Sequence, residues 1–345
     1  MKKVYFTQIN NLIADAIFLP LSVAYIWEYC KTQVTDWELG DIFFERESVE
    51  DYLKKIDNPD VLALSTYVWN WDITCQLARA VKKKYPNCKI VMGGPQVPFK
   101  QSWLEDNTDL CDIIVTYAGE RAFAEILKGN YTYPGVMTKD SYTPPKPDRE
   151  LNDIPSPYLS GLMDSLMKPG KQYSAIIETN RGCPYSCSFC DQQDLYYNKI
   201  AMFDYDRVIG EIDWIVKNKI DFLYFGDSNV GMFNRDVDFI KYIAKVRNKT
   251  GYPRQIDYST AKQQPKRIVE LGEILNKEAK IRRGVTIALQ SMNPKTLKAI
   301  KRINLANEKL EQIVGDYNKA GVDNYCELIV GLPEETLDTW IEGIG

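Results

Sequence analysis

The chain has 345 residues, of which 45% are hydrophobic and 26% are charged. This length and composition are typical of a globular protein with two domains. Its 43 Lys and Arg residues against 47 Asp and Glu residues give a formal net charge of −4, which argues against nucleic acid or an anionic membrane as a partner. Because the sequence contains no histidine, it excludes Ser-His-Asp and Cys-His catalysis and every imidazole-bound metal.

The most apolar early stretch, residues 16–27, includes Pro20 and Ser22. It is too short to span a bilayer, which takes about 20 apolar residues. Polar residues precede it and no clear cleavage site follows, so we interpret it as a core helix rather than a signal peptide. We therefore expect a cytoplasmic protein without membrane segments, in which the eight cysteines are thiols or metal ligands rather than disulfides.

Residues 1–130 alternate short apolar strands with amphipathic helices. Strands are predicted at 4–8, 39–44, 61–65, 89–92 and 113–117. Ser48 and Asp51 have the spacing of a capping box at the start of one helix. This alternation predicts an α/β domain with a doubly wound, Rossmann-like parallel sheet. Ligands of such sheets bind beyond the carboxyl ends of the strands, where this sequence has the segments 65–70, 93–96 and 119–120.

Seven prolines fall between residues 130 and 170, and they predict a linker over 131–170. A second alternating series follows, with strands predicted at 173–178, 221–225, 255–259, 285–290 and 325–330. These repeats predict a whole or partial (β/α) barrel, with its site on the loops after the strands. Since no sixth strand follows, we expect the barrel domain, 171–345, to be truncated at its C-terminal end or completed by a partner.

Three cysteines, Cys183, Cys187 and Cys190, have the spacing C-x3-C-x2-C directly after the first strand of the second domain. Zinc would need a fourth ligand, for which the sequence offers no histidine and no nearby second cysteine pair. A [4Fe–4S] cluster takes cysteine thiolates, and three of them leave one iron open to a small chelating molecule. We therefore favour the cluster, with zinc and unrelated buried thiols as the alternatives.

This segment resembles the radical S-adenosylmethionine (SAM) superfamily, whose signature is C-x3-C-x-aromatic-C, with Phe189 in the aromatic position. Segments similar to the cobalamin-dependent subclass occur at 67–70, 93–95, 154–159, 226–231, 288–293 and 327–336. The resemblance implies that Cys183, Cys187 and Cys190 hold the cluster and that its open iron chelates SAM. One electron would then cleave SAM to a 5′-deoxyadenosyl radical, which abstracts hydrogen from an unactivated carbon.

The resemblance also implies positions for cofactor contacts. The predicted SAM contacts are Phe189, Gly226, Asp227, Ser228, Tyr258, Ser259, Gln290 and Ser291. The first domain resembles a cobalamin-binding module, with Tyr67, Trp69 and Asn70 predicted near the corrin and Gly93, Gly94 and Pro95 near the nucleotide tail. Asp227 could instead cap a helix, and Trp69 could pack at a domain interface. The Asp-x-His-x-x-Gly motif of many such modules is absent, as it is in many cobalamin-dependent family members.

The resemblance implies a radical SAM enzyme that uses cobalamin to methylate an unactivated carbon of a small-molecule or peptide substrate. A reductase, flavodoxin or ferredoxin would donate electrons. One alternative is a radical SAM cyclase, rearrangement or methylthiotransferase-type enzyme without functional cobalamin binding. A methylthiotransferase would need a second cluster, and Cys30, Cys75 and Cys111 lack motif context for one. The other alternative is a non-catalytic iron–sulfur electron carrier, which would usually supply four cysteines.

Overall fold

The computed structural model describes residues 1–11, 17–190, 199–261, 263–281, 284–304 and 307–344. Residue 16, where the early apolar stretch begins, lies outside the described residues. The chain divides into two compact units, Met1–Ser174 and Ala175–Gly345. No helix in the described ranges has both the length and the apolar character needed to cross a membrane.

The first unit alternates strands and helices. Its strands are β1 (Lys2–Thr7), β2 (Ile17–Phe18), β3 (Trp37–Phe43), β4 (Val61–Ser65), β5 (Lys89–Gly93), β6 (Ile113–Val115) and β7 (Val136–Thr138). Its helices are α1 (Leu21–Gln33), α2 (Val49–Lys55), α3 (Trp71–Lys84), α4 (Gln101–Asp106), α5 (Glu120–Leu127) and α6 (Leu162–Leu166).

A six-stranded sheet forms the centre of this unit, in the order β3-β1-β4-β5-β6-β7. Neighbouring strands are parallel, except that β7 runs antiparallel to β6. Numbered along the chain, the five parallel strands have the order 2-1-3-4-5, which is one of the orders of the predicted doubly wound sheet. In such a sheet a crevice opens at the carboxyl ends where the strand order reverses, which here is between β1 and β4.

The central strands contain runs of consecutive apolar residues because helices cover both faces of the sheet. Val61–Leu64 is a run of consecutive buried residues in β4. On one face, Leu62 and Leu64 belong to a core with Leu77 and Val81 of α3. The predicted core helix is present as α1, which buries Leu21 and seven further residues.

Residues 131–170, predicted as a linker, belong to the first compact unit. Within this segment β7 extends the sheet and Leu151 is buried. Arg121 of α5 forms ion pairs with Asp148 at 2.8 Å and Asp153 at 2.9 Å. The segment therefore packs as part of the first unit, while the domain boundaries at 130 and 170 stay predictions.

The second unit continues the alternation. Its strands are β8 (Tyr173–Ile177), which starts at the end of the first unit, β9 (Asn180–Arg181), β10 (Ala201–Met202), β11 (Phe222–Val230), β12 (Gln255–Thr260), β13 (Val285–Gln290) and β14 (Asn324–Leu328). Its helices are α7 (Tyr205–Lys217), α8 (Asn234–Thr250), α9 (Pro265–Glu273) with a π-helical turn over Ile274–Glu278, α10 (Pro294–Ala299), α11 (Asn307–Ala320) and α12 (Leu337–Ile344).

The long strands of this unit follow one another in space as they do in sequence. β8, β11 and β12 lie side by side in one sheet, and β13 and β14 form a separate parallel pair. The Thr260 hydroxyl of β12 donates to the Thr286 carbonyl of β13 at 2.8 Å, which joins the two sheets. This arrangement is the predicted partial (β/α) barrel, whose loops at the carboxyl ends of the strands are the expected site.

Candidate functional site

The clustered cysteines lie in the loop after β9, which pairs antiparallel with β10. Gly182, just before the first cysteine, has a φ of +118°, and a Cβ there would collide with the Lys199 carbonyl oxygen. Cys187 is buried, Cys183 and Cys190 are half-buried, and all three are free thiols. The Cys190 N–H donates to the Cys187 carbonyl at 3.0 Å, so the loop turns back on itself between these residues.

Two side-chain N–H groups point at sulfur atoms of this loop. Nδ2 of Asn229, near the end of β11, donates to Cys183 Sγ at 3.2 Å. Nη1 of Arg302, in the loop after α10, donates to Cys187 Sγ at 3.9 Å. Such donors stabilise a thiolate relative to a thiol, and donors to the ligand sulfurs are typical of iron–sulfur sites.

Arg302 is held in place by further contacts. Its Nε donates to the Asn304 side-chain oxygen at 2.9 Å, and its Nη2 donates to the Ala288 carbonyl. Its Cζ atom lies 6.0 Å from the centre of the Phe189 ring. Burial lowers the pKa of Arg302 from its ordinary value, and the Cys187 sulfur acts in the opposite direction.

Asp227 supports the turn that leads into the cysteine loop. Its Oδ1 accepts the backbone N–H groups of Thr179 at 2.9 Å and Asn180 at 2.7 Å. Its Oδ2 is buried and has no hydrogen-bond partner among the described residues. Burial, together with the nearby Glu178 and Asp236 carboxylates, raises the pKa of Asp227 to about 8, although the two N–H hydrogen bonds lower this pKa. Asp227 therefore fixes this turn through the hydrogen bonds that its Oδ1 accepts, and its buried Oδ2 is left for a further contact.

The second barrel strand ends later than predicted. The sequence analysis ended it at Phe225 and put Gly226, Asp227 and Ser228 after it, but β11 runs on to Val230. Its pairing with β12 is irregular between Phe225 and Val230. The reason is that the hydrogen bonds which Asp227 accepts from the backbone of Thr179 and Asn180 hold this segment extended beside β8. The alternative of a helix cap is also wrong, because the N-cap of α8 is a different residue, Phe233.

The remaining predicted SAM contacts lie at the carboxyl ends of β12 and β13. Tyr258 is buried and Ser259 is exposed. Gln290 has a φ of +69°, at the point where the pairing of β13 with β14 shifts. The Ser291 hydroxyl donates to the Glu335 carboxylate. The structure thus places these residues at the expected edge, and their contacts to SAM stay predictions.

In the first unit, the predicted corrin contacts lie after β4, beside the crevice between β1 and β4. The rings of Tyr67 and Trp69 stack with their centroids 4.5 Å apart and their planes at 9°, and Trp69 is 43% exposed. Asn70 is buried, and its amide donates to the carbonyls of Ile9 at 3.1 Å and Ser65 at 3.0 Å. Asn70 therefore fixes the loop, and the aromatic pair offers a flat apolar surface that suits one face of a macrocycle.

The predicted nucleotide-tail segment lies beside this loop. Thr66 donates to the Gly93 carbonyl from its backbone N–H at 2.7 Å and from its hydroxyl at 2.8 Å. Gly94 has a φ of +102°, and a Cβ there would lie 2.5 Å from the Thr66 carbonyl oxygen. Pro95 is exposed. The structure therefore brings 67–70 and 93–95 together, while their contacts to a cofactor stay predictions.

The donor set of the cysteine loop is three thiols, which as thiolates are the ligands that iron–sulfur clusters take. Across the described ranges, no three Cys, Asp or Glu side chains converge on a point where they could hold one metal ion. A cubane does not require this convergence, since each thiolate binds a different iron. Burial raises the pKa of Cys88 and of Cys111 to about 12, which keeps these two as thiols. The three motif cysteines, two of which accept N–H donors, are therefore the suitable ligands.

The two units match two family models. A B12 binding domain matches residues 12–127, and the radical SAM superfamily matches residues 177–343. The cobalamin-dependent radical SAM methyltransferase TokK of Streptomyces tokunonensis is 33% identical, over 100% of this chain and 53% of that protein. The 2-(S-pantetheinyl)-carbapenam-3-carboxylate methyltransferase of Streptantibioticus cattleyicolor is also 33% identical, with the same coverage. The chain thus spans about half the length of the curated relatives it matches.

Solved structures share the fold. The cobalamin-dependent SAM radical enzyme OxsB with aqua-cobalamin bound has a TM-score of 0.73 at 16% identity, over 100% of this chain and 51% of that one. TsrM from Kitasatospora setae, with cobalamin and a [4Fe–4S] cluster bound, has a TM-score of 0.69 at 15% identity, over 100% and 70%.

Fold and site together define a two-domain protein with a doubly wound cobalamin-binding unit and a radical SAM barrel. The chain belongs to the cobalamin-dependent radical SAM superfamily. The B12 binding domain implies cobalamin as a cofactor, and the radical SAM domain implies a [4Fe–4S] cluster and SAM.

The sequence analysis missed Asn229 and Arg302. Asn229 lies inside the segment 226–231, which resembles the family, so its position carried a signal. Arg302 is 115 positions from Cys187 and has no motif around it. Only the folded structure shows that these side chains reach the sulfurs.

Proposed function

We propose that this chain acts in the cobalamin-dependent methylation of an unactivated carbon, started by reductive cleavage of SAM. The observation that supports this most directly is the C-x3-C-x2-C loop at the carboxyl edge of the barrel, with N–H donors on Cys183 and Cys187. When bound, the cluster supplies the electron for SAM cleavage and cobalamin carries the methyl group. The named relatives are methyltransferases, which favours methylation over cyclisation or rearrangement.

The chain's own residues then have separate tasks. Cys183, Cys187 and Cys190 bind the irons, and Asp227 holds the turn before them through the N–H groups of Thr179 and Asn180. The unused Oδ2 of Asp227 lies ready to contact the SAM ammonium, whose positive charge would favour the ionised form of this carboxyl and would form a strong charge-assisted hydrogen bond with it. In the first unit, the stacked aromatic pair Tyr67 and Trp69 covers one face of the corrin.

A methylthiotransferase activity fits the structure less well. Cys75, Cys88 and Cys111 belong to the apolar core of the first unit, and Cys30 is buried in α1 outside that core cluster. Burial raises the pKa of Cys30 far above its usual range. These thiols are therefore packing residues rather than ligands of a second cluster.

The substrate is proposed as a small molecule, since the name of one relative gives a carbapenam carboxylate as its substrate. A reductase, flavodoxin or ferredoxin is proposed as the electron donor. Methyl-deuterated SAM, incubated with the reduced, cobalamin-loaded chain and candidate substrates, tests the transfer. The product is expected to carry the deuterated methyl group, and a product without this label would contradict methylation.

Anaerobic reconstitution with iron and sulfide tests the cluster. The wild-type chain is expected to hold about four irons, and Cys187→Ala is expected to lose them. Cys75→Ala is the matched control, because Cys75 is a buried thiol of the first-unit core. With SAM and dithionite, the loaded chain is expected to form 5′-deoxyadenosine. If Cys187→Ala kept its full iron content, or the loaded wild type formed no 5′-deoxyadenosine, the proposed function would be wrong.

Hydroxocobalamin binding tests the first unit independently of the cluster. After desalting, the chain is expected to retain cobalamin with a base-off spectrum and without histidine coordination to cobalt, because the sequence contains no histidine. A chain that retains no cobalamin but still cleaves SAM would favour the radical SAM alternatives without cobalamin.

A further inference from the structure

Arg302 carries a buried positive charge that needs a counter-charge. The residue is 6% exposed, and within the described part of the chain no carboxylate forms an ion pair with it. Its polar contacts are the Ala288 carbonyl, the Asn304 side-chain oxygen and the Cys187 sulfur. An isolated buried guanidinium is costly, because the low dielectric of the interior does not repay its lost hydration.

The Cys187 sulfur can be that counter-charge when it is a cluster ligand. A neutral thiol 3.9 Å from Nη1 would leave the guanidinium without compensation. Three thiolates on an oxidised [4Fe–4S] core carry a net charge of −1, and one added electron makes it −2. The fixed charge of Arg302 therefore interacts more favourably with the reduced cluster than with the oxidised one.

Asn229 acts in the same direction on a different sulfur. It is 4% exposed, and its Nδ2 donates to Cys183 Sγ at 3.2 Å. An N–H donor stabilises a thiolate more strongly as its negative charge grows, and hydrogen bonds to the sulfurs are one of the factors that set cluster potentials.

We propose that Arg302 and Asn229 are positioning residues that raise the reduction potential of the cluster by stabilising its reduced state. This inference rests on the proposed function for the identity of the cysteine ligands. The redox step takes one electron from an external low-potential reductant of the dithionite class. No proton moves, since both side chains keep their hydrogens in either state.

An anaerobic redox titration of the cluster-loaded full chain, followed by EPR, tests the inference. In Arg302→Met the ratio of reduced to oxidised cluster at a fixed potential is expected to fall about tenfold, a shift of about 59 mV to more negative potential for one electron. In Arg302→Lys the reduction potential is expected to shift less, because the lysine keeps the positive charge. In Asn229→Leu the potential is expected to shift in the same direction as in Arg302→Met.

Arg267→Met is the matched control for removing a guanidinium. Arg267 donates to the carbonyls of Gly231 and Met232 rather than to a cysteine sulfur. The Arg267→Met variant is expected to leave the reduction potential of the cluster unchanged. If Arg302→Met held a full cluster at the wild-type potential, or shifted no more than Arg267→Met, the inference would be overturned.

If Arg302→Met fails to hold a cluster, a measurement on the wild-type chain still tests the inference. Wild-type chain labelled with ¹⁵N-arginine in an unlabelled background is reduced without SAM and studied by pulsed EPR. A ¹⁵N coupling to the reduced cluster is expected from the Arg302 contact, and its absence would overturn the inference for Arg302. A wild-type chain without any [4Fe–4S] signal would instead refute the proposed function, so the two failures are distinguishable.

Discussion

Replacing Asp227 with Asn is expected to change how the stability of the metal-free chain depends on pH. The pKa of Asp227 is raised by burial to about 8, whereas an unfolded aspartate has a pKa of about 3.9. Between these values the folded state binds a proton that the unfolded state has lost. The contribution of this carboxyl to stability is therefore fully present below about pH 4 and is lost as the pH rises through 8.

The magnitude follows from the size of this shift. One pKa unit corresponds to about 1.4 kcal/mol, so the free energy of unfolding of the wild type should fall by about 4 kcal/mol between pH 5 and pH 8 through this group alone. Asp227→Asn removes the ionisation but keeps an oxygen that can accept the N–H groups of Thr179 and Asn180. Relative to wild type, the variant is thus expected to gain about 4 kcal/mol over that interval.

Urea denaturation of the metal-free proteins at several values between pH 5 and pH 8 measures the effect. Asp238→Asn is the control for the loss of one acidic residue, because Asp238 is exposed on α8. Asp227→Ala distinguishes the effect of the charge from that of the two hydrogen bonds. It leaves both N–H groups without their acceptor, which is expected to cost about 1–3 kcal/mol of stability for each group. A stability difference between wild type and Asp227→Asn that stays constant over this range would refute the reasoning.

Two further predictions concern the first unit. Gly94→Ala places a Cβ 2.5 Å from the Thr66 carbonyl oxygen in left-handed backbone, so we expect a loss of about 3 kcal/mol in urea denaturation. Gly129→Ala, also left-handed but with nothing within 4 Å, should lose about 1 kcal/mol, and equal losses would contradict the steric argument. Trp69→Ala should weaken cobalamin binding about tenfold, since a large aromatic contact is removed. Trp103→Ala, on α4, should leave the affinity unchanged in the same spectroscopic titration, and an equal effect of both would place cobalamin elsewhere.

Several elements could be predicted because their signals are local. The strand predicted at 61–65 is β4 with the same bounds, since an apolar run flanked by polar residues fits a strand that helices cover on both faces. The predicted cap of α2 is present, because the Ser48 side chain accepts the Asp51 N–H at 3.2 Å. Each of these features depends on residues a few positions apart.

The end of β11 could not be predicted in the same way. The sequence analysis stopped the strand at Phe225, where glycine follows. The structure continues it because Asp227 bonds to backbone N–H groups 47 and 48 positions earlier in the chain. Local propensity carries no information about such a partner, so the inward orientation of this carboxyl and its raised pKa emerge only on folding.

The amino-acid sequence by itself determined the cysteine spacing, the absence of histidine and the alternation of the main strands with helices, since these features are visible in composition or within short segments. Tertiary structure decided which side chains meet the sulfurs. Asn229 and Arg302 reach Cys183 and Cys187 across 46 and 115 positions, because parallel strands bring distant loops to one edge of the barrel. Packing of the whole unit, rather than any local pattern, therefore sets the electrostatic surroundings of the three thiols.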